Sequence, residues 1–185
     1  QKEKLDLSSK LILSFPDLDV GIPSVAHRLE YLKSLLMCDR EIARAVYTNL
    51  DKMRGRPLKI GVHIRQGDFE DELPLGETWQ ENQWNTRIPL AWYTHIAALL
   101  QQKYGKECVF FLATNDLNEG VASFITQFEP ITGTATETRS CYDLVDLLTL
   151  SYCDLLVTSY SWFSHWAAGF SNRPYVHYTP APAPQ

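Results

Sequence analysis

Clusters of positive charge are missing from this chain of 185 residues, in which 17 Lys and Arg stand against 22 Asp and Glu for a formal net charge of −5. Binding to a nucleic acid depends on clustered basic residues that neutralise phosphates. Long apolar runs are missing too, because stretches such as Cys108 to Ala113 fall far short of the roughly 20 residues that span a bilayer. The sequence therefore argues against a nucleic-acid binder and predicts no membrane span.

Cysteine is scarce and irregularly spaced. The four residues are Cys38, Cys108, Cys141 and Cys153, and they form no C-x-x-C pair of the kind that holds a metal. Their apolar neighbours predict buried thiols, while the even count leaves disulfides open in an oxidising compartment. Walker and G-x-G-x-x-G patterns are also lacking, so neither an NTPase nor a dinucleotide-dependent oxidoreductase is supported.

Apolar spacing predicts alternating helices and strands. Between residues 24 and 53 it predicts one or two amphipathic helices, the second capped by Asp39. Further helices are predicted at 89–105, 117–128, 142–152 and 161–170, and strands at 58–65, 109–113, near 131, at 155–157 and at 174–178. Strands separated by helices of this length are typical of βαβ units. The sequence therefore predicts an α/β fold with a doubly wound, mostly parallel sheet.

Ligands of such sheets bind at the carboxyl ends of the strands, where three polar loops are predicted. The first begins His63-Ile64-Arg65-Gln66-Gly67-Asp68. A guanidinium there suits a diphosphate, because its fork donates two parallel hydrogen bonds. Gly67 allows close approach of the backbone, and Asp68 can orient the guanidinium. The same pattern also fits an ion pair between Arg65 and Asp68 that holds no ligand.

The second loop is Ala113-Thr114-Asn115-Asp116. Its short side chains could hold a ribose or the amino edge of a base, or Asn115 or Asp116 could cap the next helix. In the third loop, residues 158–164, hydroxyls and backbone N–H groups at a helix N-terminus suit a phosphate. Ser161 could equally be an ordinary cap, with Trp162, Phe163 and Trp166 in the core. Together the three loops indicate one nucleotide with a diphosphate that spans them.

The first loop resembles the H-x-R-x-G-D signature of the α-1,2-fucosyltransferases, a motif with relatives in the α-1,6- and protein O-fucosyltransferases. Residues 146–153 and 161–168 are similar to that family's helix, cysteine and strand, followed by its small-x-Phe-small-x-Trp-Ala-Ala pattern. The second loop is similar to its middle donor motif. The resemblance covers roughly residues 57 to 178.

This resemblance implies the Rossmann-like donor domain of a GT-B glycosyltransferase, which holds GDP-fucose and transfers fucose with inversion, without a metal or other cofactor. Arg65 would hold the β-phosphate and stabilise the departing GDP, while His63 and Asp68 position it. Asn115 and Asp116 would contact the guanosine, and Asp146 would mainly brace its helix. The residues implied to bind the diphosphate are Ser161, Trp162, Phe163 and Ser164.

An inverting transfer needs a base near the acceptor hydroxyl. Glu70, Asp71 and Glu72 crowd the loop after Asp68, where mutual repulsion could raise the pKa of one carboxyl group. We assign the base to Glu72; the other interpretation is a solvated acidic loop. The aromatic residues that could present a sugar-stacking surface are Trp79, Trp84 and Trp92, of which Trp92 fits a core position better.

The chain also departs from the family pattern. Gln66 stands where many members carry a second basic residue, and His165 and Gly169 replace positions that are usually apolar or aromatic. The family's acceptor domain precedes the signature, so we expect a donor-domain fragment or a shortened enzyme. We divide the chain into a helical lead-in at 1–57, interpreted as a remnant of the acceptor-side region, a GDP-sugar-binding domain at 58–178 and a Pro-rich tail at 179–185.

The expected partners are a nucleotide-sugar donor and a glycan acceptor. Two alternatives stay open: a non-catalytic module that binds a GDP-sugar or a glycan, and a GT-B transferase that uses another nucleotide sugar. The sequence leaves the acceptor, the linkage and the compartment undecided. A bacterial enzyme of this kind would act in the cytoplasm, and an animal or plant enzyme in the Golgi lumen.

Overall fold

The structure is a computed structural model that describes residues 13–14, 28–69, 86–133, 142–159 and 161–178. The helices are α1 (Leu29–Leu36), α2 (Arg40–Lys52), α3 (Leu90–Tyr104), α4 (Glu119–Phe128), α5 (Tyr142–Leu150) and α6 (Trp162–Ser171). The strands are β1 (Leu13–Ser14), β2 (Leu58–Ile64), β3 (Cys108–Thr114), β4 (Ile131–Thr132), β5 (Leu155–Thr158) and β6 (Tyr175–His177).

The described strands form one sheet in the order β1-β6-β5-β2-β3-β4. The strands from β2 to β6 are parallel, and β1 pairs antiparallel with β6 at one edge. β2 lies at the centre, where Val62 is paired with Val157 of β5 and Ile64 with Thr114 of β3. The carboxyl ends of β5, β2 and β3 are therefore neighbours at one edge, as the predicted α/β fold requires.

Helices cover both faces of the sheet. On one face, Ile60 and Phe110 pack in a cluster with Phe124 of α4 and residues of α3. On the other face, Phe111 and Leu156 pack against α2, α5 and α6. Consecutive residues of β3 thus belong to opposite cores, because side chains alternate along a strand. The predicted doubly wound arrangement is confirmed, and α1 adds to the second layer by packing on α6.

Two predicted helix caps are confirmed. Asp39 caps α2, where its Oδ1 accepts hydrogen bonds from the backbone N–H groups of Glu41 at 2.8 Å and Ile42 at 3.0 Å. Ser161 caps α6, where its Oγ accepts a hydrogen bond from the N–H of Ser164 at 3.3 Å. Each cap satisfies a donor that the first helical turn leaves without a partner.

The predicted cap of α4 is wrong. Asn118, rather than Asn115 or Asp116, precedes the helix, and its Oδ1 accepts a hydrogen bond from the N–H of Val121 at 3.0 Å. The helix therefore starts at Glu119, later than expected. The physical reason lies in Asn115, whose side-chain oxygen is already bound to the loop after β2.

The thiol prediction is confirmed for Cys108 and Cys153, which are buried and free. It is wrong for Cys38, which lies exposed just after α1, and Cys141 falls outside the described residues. Among the described helices, none is both long and apolar enough to cross a bilayer.

Candidate functional site

The loops after β2, β3 and β5 meet at the carboxyl edge of the sheet. The backbone N–H of Ser159, just after β5, donates to the carbonyl of His63 at 3.1 Å. The backbone N–H of Gln66, just after β2, donates to Oδ1 of Asn115 at 2.8 Å. The end of β2 is thus bound on both sides. The three predicted loops form one continuous surface with Arg65 in the middle.

Arg65 forms an ion pair with Asp68 that stays open to solvent. Its Nε donates to Oδ1 at 2.9 Å and to Oδ2 at 3.2 Å, and its Nη2 also bonds to Oδ2. The two side chains are 31% and 49% exposed. The hydrogen bond between them raises the pKa of Arg65 and lowers that of Asp68, so both stay charged. Within the described part of the chain, Nη1 of Arg65 has no hydrogen-bond partner.

Asn115 fixes this loop from the neighbouring strand. Its Oδ1 accepts hydrogen bonds from the backbone N–H groups of Gln66 at 2.8 Å and Gly67 at 3.2 Å. Its Nδ2 donates to Oδ1 of Asp68 at 2.9 Å. The two backbone N–H groups use both lone pairs of Oδ1, and one of the two N–H groups of the amide nitrogen is left for a ligand. Asn115 therefore holds the backbone around Arg65, and its predicted contact with guanosine stays a prediction.

Gly67 lies close to the loop after β3. A Cβ at this position would meet the backbone oxygen of Asn115 at 3.1 Å and Cβ of Asp116 at 3.3 Å, so only glycine fits without displacing a neighbour. The carboxylate of Asp116 accepts a 3.4 Å hydrogen bond from Nδ2 of Asn118 and is partly exposed on the same loop. The structure thus brings the first two predicted motifs into contact.

The third loop carries a cluster of hydroxyls around His63. Nδ1 of His63 lies 2.7 Å from Oγ of Ser164 and 2.9 Å from Oγ of Ser159. Oγ of Ser159 lies 2.9 Å from that of Ser164 and 3.1 Å from that of Ser161. Ser159 and Ser164 are buried, while Ser161 is partly exposed. The cluster therefore opens to solvent at Ser161, at the N-terminus of α6, where helix dipoles favour an anion.

His63 is buried and uncharged. Burial lowers its pKa to about 3, the charge of Arg65 acts in the same direction, and Asp68 opposes both. The ring of Phe163 covers it, with the two ring centroids 4.6 Å apart. His63 thus enters the site as a neutral hydrogen-bonding group, and the positive charge comes from Arg65.

The aromatic residues of α6 are less buried than the core interpretation predicts. Trp162 is 59% exposed on the first turn of α6, so a core position is wrong for it, while Phe163 and Ser164 of the same turn contact His63. Phe163 and Trp166 are half-buried, against His63 and Phe170 respectively. Trp92 packs edge to face on Tyr178 in the core as expected.

Several predicted site residues lie outside the described residues. They are Glu70, Asp71, Glu72, Trp79 and Trp84. Asp146 is buried on α5 and packs against Gly133, where an added Cβ would lie 2.7 Å from its Cγ. That contact agrees with a bracing role for Asp146.

Sequence reasoning missed Ser159 and a pocket beside the serine cluster. The pocket, of about 300 Å³ including space open to solvent, lies between α6 and β6. Its polar and aromatic lining consists of Thr158, Ser159, Ser164, His165, Tyr175 and His177. The alternation of Tyr175 and His177 with the core residue Val176 would have placed both on the α6 face.

Comparison with known proteins gives a weak structural likeness. No protein-family model and no curated protein matches the chain. A crystal structure of the fucosyltransferase NodZ from Bradyrhizobium is similar over 71% of this chain and 41% of that chain, at 15% identity and a TM-score of 0.43. Its selenomethionine form is similar over 72% and 41%, at 17% identity and a TM-score of 0.42. The chain thus spans less than half the length of these structures, and any function must be argued from its own site.

Proposed function

We propose that this protein binds the diphosphate of GDP-fucose and transfers fucose to a sugar hydroxyl. The observation that carries the proposal is the partly exposed guanidinium of Arg65 at the end of β2, next to the strand whose loop presents the hydroxyl of Ser161. A fixed cation beside a helix N-terminus suits a group that carries two adjacent negative charges.

Each part of the site has a separate task in this proposal. Nη1 of Arg65 donates to the β-phosphate, and Asp68 holds the guanidinium in plane through Nε and Nη2. Ser161 and the first N–H groups of α6 donate to the other phosphate oxygens. Because Arg65 supplies the charge, we propose that no bound metal ion is needed.

The transfer breaks the bond between C1 of fucose and the β-phosphate oxygen, and the electron pair leaves with GDP. The acceptor oxygen forms a new bond to C1 from the opposite face and loses its proton to a base. Arg65 stabilises the charge that develops on the departing phosphate, which is a larger effect in the transition state than in the bound donor. We assign the base to Glu72, and the α-1,2 linkage follows the H-x-R-x-G-D resemblance alone.

One observation favours the alternative of a non-catalytic GDP-sugar-binding module. Gln66 stands where the resembled family often has a second basic residue, and its side chain is 2% exposed and directed toward the carbonyl of Ile88 at 3.5 Å. Position 66 therefore adds no charge to the site. Release of GDP from GDP-fucose that depends on a glycan acceptor supports the enzyme, and binding without such release supports the module.

Isothermal titration with GDP, GDP-fucose, UDP and ADP tests the proposal. We expect micromolar binding of the two guanosine compounds, and a loss of roughly tenfold to a hundredfold in Arg65→Ala, which removes a charge-assisted hydrogen bond. Arg54→Ala is the matched control, since Arg54 forms a similar pair with Asp51 three residues before it, far from the site on an exposed turn. Absence of GDP binding by the folded protein contradicts the proposal, and stronger binding of UDP or ADP supports another nucleotide sugar.

A further inference from the structure

His63 contacts the hydroxyl cluster formed by Ser159, Ser161 and Ser164. We infer that His63 is a positioning residue that donates from Nδ1 into the serine cluster and thereby directs the hydroxyl hydrogen of Ser161 outward to a bound phosphate. This inference rests on the proposed function, since it concerns how the same site presents its donors.

The imidazole of His63 contacts the serine cluster through Nδ1. Nδ1 lies within hydrogen-bond distance of both Ser164 and Ser159, at 2.7 and 2.9 Å. Nε2 has no hydrogen-bond partner among the described residues. His63 is 5% exposed, and both hydrogen bonds of its Nδ1 are made to buried serines. The ring therefore acts on the site through the two buried serines.

The cluster contains three hydroxyl hydrogens, and the protonation of Nδ1 decides which bonds they make. If Nδ1 accepts, Ser164 can donate to Nδ1, Ser159 to Ser164 and Ser161 to Ser159. All three hydroxyl hydrogens are then used inside, and Ser161 presents a lone pair to solvent, which repels an anion. The distances of this chain are 2.7, 2.9 and 3.1 Å.

The opposite tautomer reverses the chain. If Nδ1 carries the proton, it donates to Ser164, Ser164 to Ser159 and Ser159 to Ser161, over the same distances. The hydrogen of Ser161 is then left over and points outward. All three bonds of the chain are kept, while the 2.9 Å contact of Nδ1 with Ser159 and the 3.4 Å contact of Ser161 with Ser164 are not used. Ser161 still accepts from the N–H of Ser164 as the cap of α6. One neutral imidazole thus decides whether the exposed hydroxyl accepts or donates.

The surroundings of His63 favour the neutral imidazole, so only its two neutral tautomers compete. Burial and the nearby Arg65 hold the pKa of His63 at about 3 against the opposing effect of Asp68. A charged imidazolium is therefore absent at neutral pH. Binding of a diphosphate at Ser161 favours the Nδ1-protonated form, because only that form gives the anion a donor while keeping all three bonds of the chain from Nδ1 to Ser161.

Two substitutions separate action through Nδ1 from direct contact through Nε2. The amide of His63→Asn places a polar atom near the position of Nδ1, whereas the amide of His63→Gln reaches the position of Nε2. We expect His63→Asn to keep GDP affinity within about threefold and His63→Gln to lose about tenfold or more. Melting temperatures establish that both variants fold.

Proton–nitrogen correlation spectra of histidine-labelled protein report the tautomer directly, and the signal lost in His63→Asn identifies His63 among the five histidines. We expect a protonated Nδ1 in the GDP complex. A protonated Nε2 in that complex, full affinity in His63→Gln, or full affinity in both variants overturns the inference. If both variants lose affinity or fail to fold, the wild-type spectrum decides between the two tautomers.

Failure of the proposed function is distinguishable from failure of this inference. If wild-type protein does not bind GDP, the proposed function fails and the inference falls with it. If wild-type protein binds GDP and Arg65→Ala weakens binding while His63→Gln does not, the proposed function stands and the inference alone is wrong.

Discussion

Nδ2 of Asn115 donates a hydrogen bond to Oδ1 of Asp68 over 2.9 Å, and this contact joins the loop after β3 to the loop that carries Arg65. The carboxylate of Asp68 is therefore shared between a guanidinium and an amide. Both donors keep it charged, since hydrogen bonds to its ionised form lower its pKa. The orientation of Arg65 depends on a residue that lies 50 positions further along the chain.

The first prediction concerns Asn115. Asn115→Ala removes the acceptor for two backbone N–H groups and the donor to Asp68, so we expect GDP affinity to fall by about tenfold, measured by titration. Asn115→Asp keeps the acceptor but places a second carboxylate against Asp68, and we expect a loss of similar size. Asp39→Ala is the control: it removes the cap of α2 and should lower stability by about 1 kcal/mol with GDP affinity unchanged. Unchanged affinity in both Asn115 variants would contradict the role of this contact.

The second prediction concerns the pH dependence of stability. The pKa of His63 is about 3 in the folded protein, whereas an unfolded histidine has a pKa of about 6.5. Below about pH 6.5 the unfolded chain binds a proton that the folded protein does not bind. The free energy of unfolding therefore decreases as the pH is lowered from about 6.5 to about 3. This group contributes a decrease of up to about 1.4 kcal/mol per pH unit.

Denaturant unfolding of wild type and His63→Asn between pH 7 and pH 4 measures this effect, because the other titrating groups are common to both proteins. We expect the wild-type stability to fall more steeply. Parallel curves would mean that His63 is not kept neutral by burial.

The third prediction contrasts two glycines. A Cβ at Gly61 would lie 2.7 Å from Cδ2 of Leu156 and 2.8 Å from Cδ2 of Leu150, inside the core under α5. Gly61→Ala should therefore lower the free energy of unfolding by about 1 to 3 kcal/mol. Gly67→Ala, which would press on the backbone of Asn115, should instead lower GDP affinity with a small change in stability. The reverse pattern in the two assays would contradict this assignment of Gly67 to the site.

The fourth prediction concerns Tyr93 on α3. Its hydroxyl is buried in the core and has no hydrogen-bond partner among the residues that the structure describes, and burial strongly raises the pKa of the phenol. Tyr93→Phe removes an unsatisfied polar group and keeps the ring, so we expect the free energy of unfolding to rise by up to about 1 kcal/mol. Chemical denaturation measures this change. A clear loss of stability would indicate that the hydroxyl has a partner.

The fold and the position of the site could be predicted from the sequence because both depend on local periodicity. The apolar runs around Val62 and Val157 predict buried parallel strands, and such strands end at a common edge. Arg65 and Ser161 each follow one of these strands by a few residues, so both had to lie at that edge.

The side-chain pairings could not be predicted, because they depend on which strands are neighbours. Asn115 reaches Gln66 only since β3 lies next to β2, and that order is not encoded in local spacing. Asn115 is thus bound to the loop after β2, and Asn118 caps α4 in its place. The sequence left Trp162 either in the core or at the diphosphate, and its 59% exposure on the first turn of α6 is wrong for the core.

The structure of the protein with GDP bound tests the central claim most directly. We expect the β-phosphate within hydrogen-bond distance of Nη1 of Arg65, and a phosphate oxygen next to the hydroxyl of Ser161. A GDP bound elsewhere, or a diphosphate that contacts neither residue while Arg65 stays paired with Asp68 alone, would contradict it.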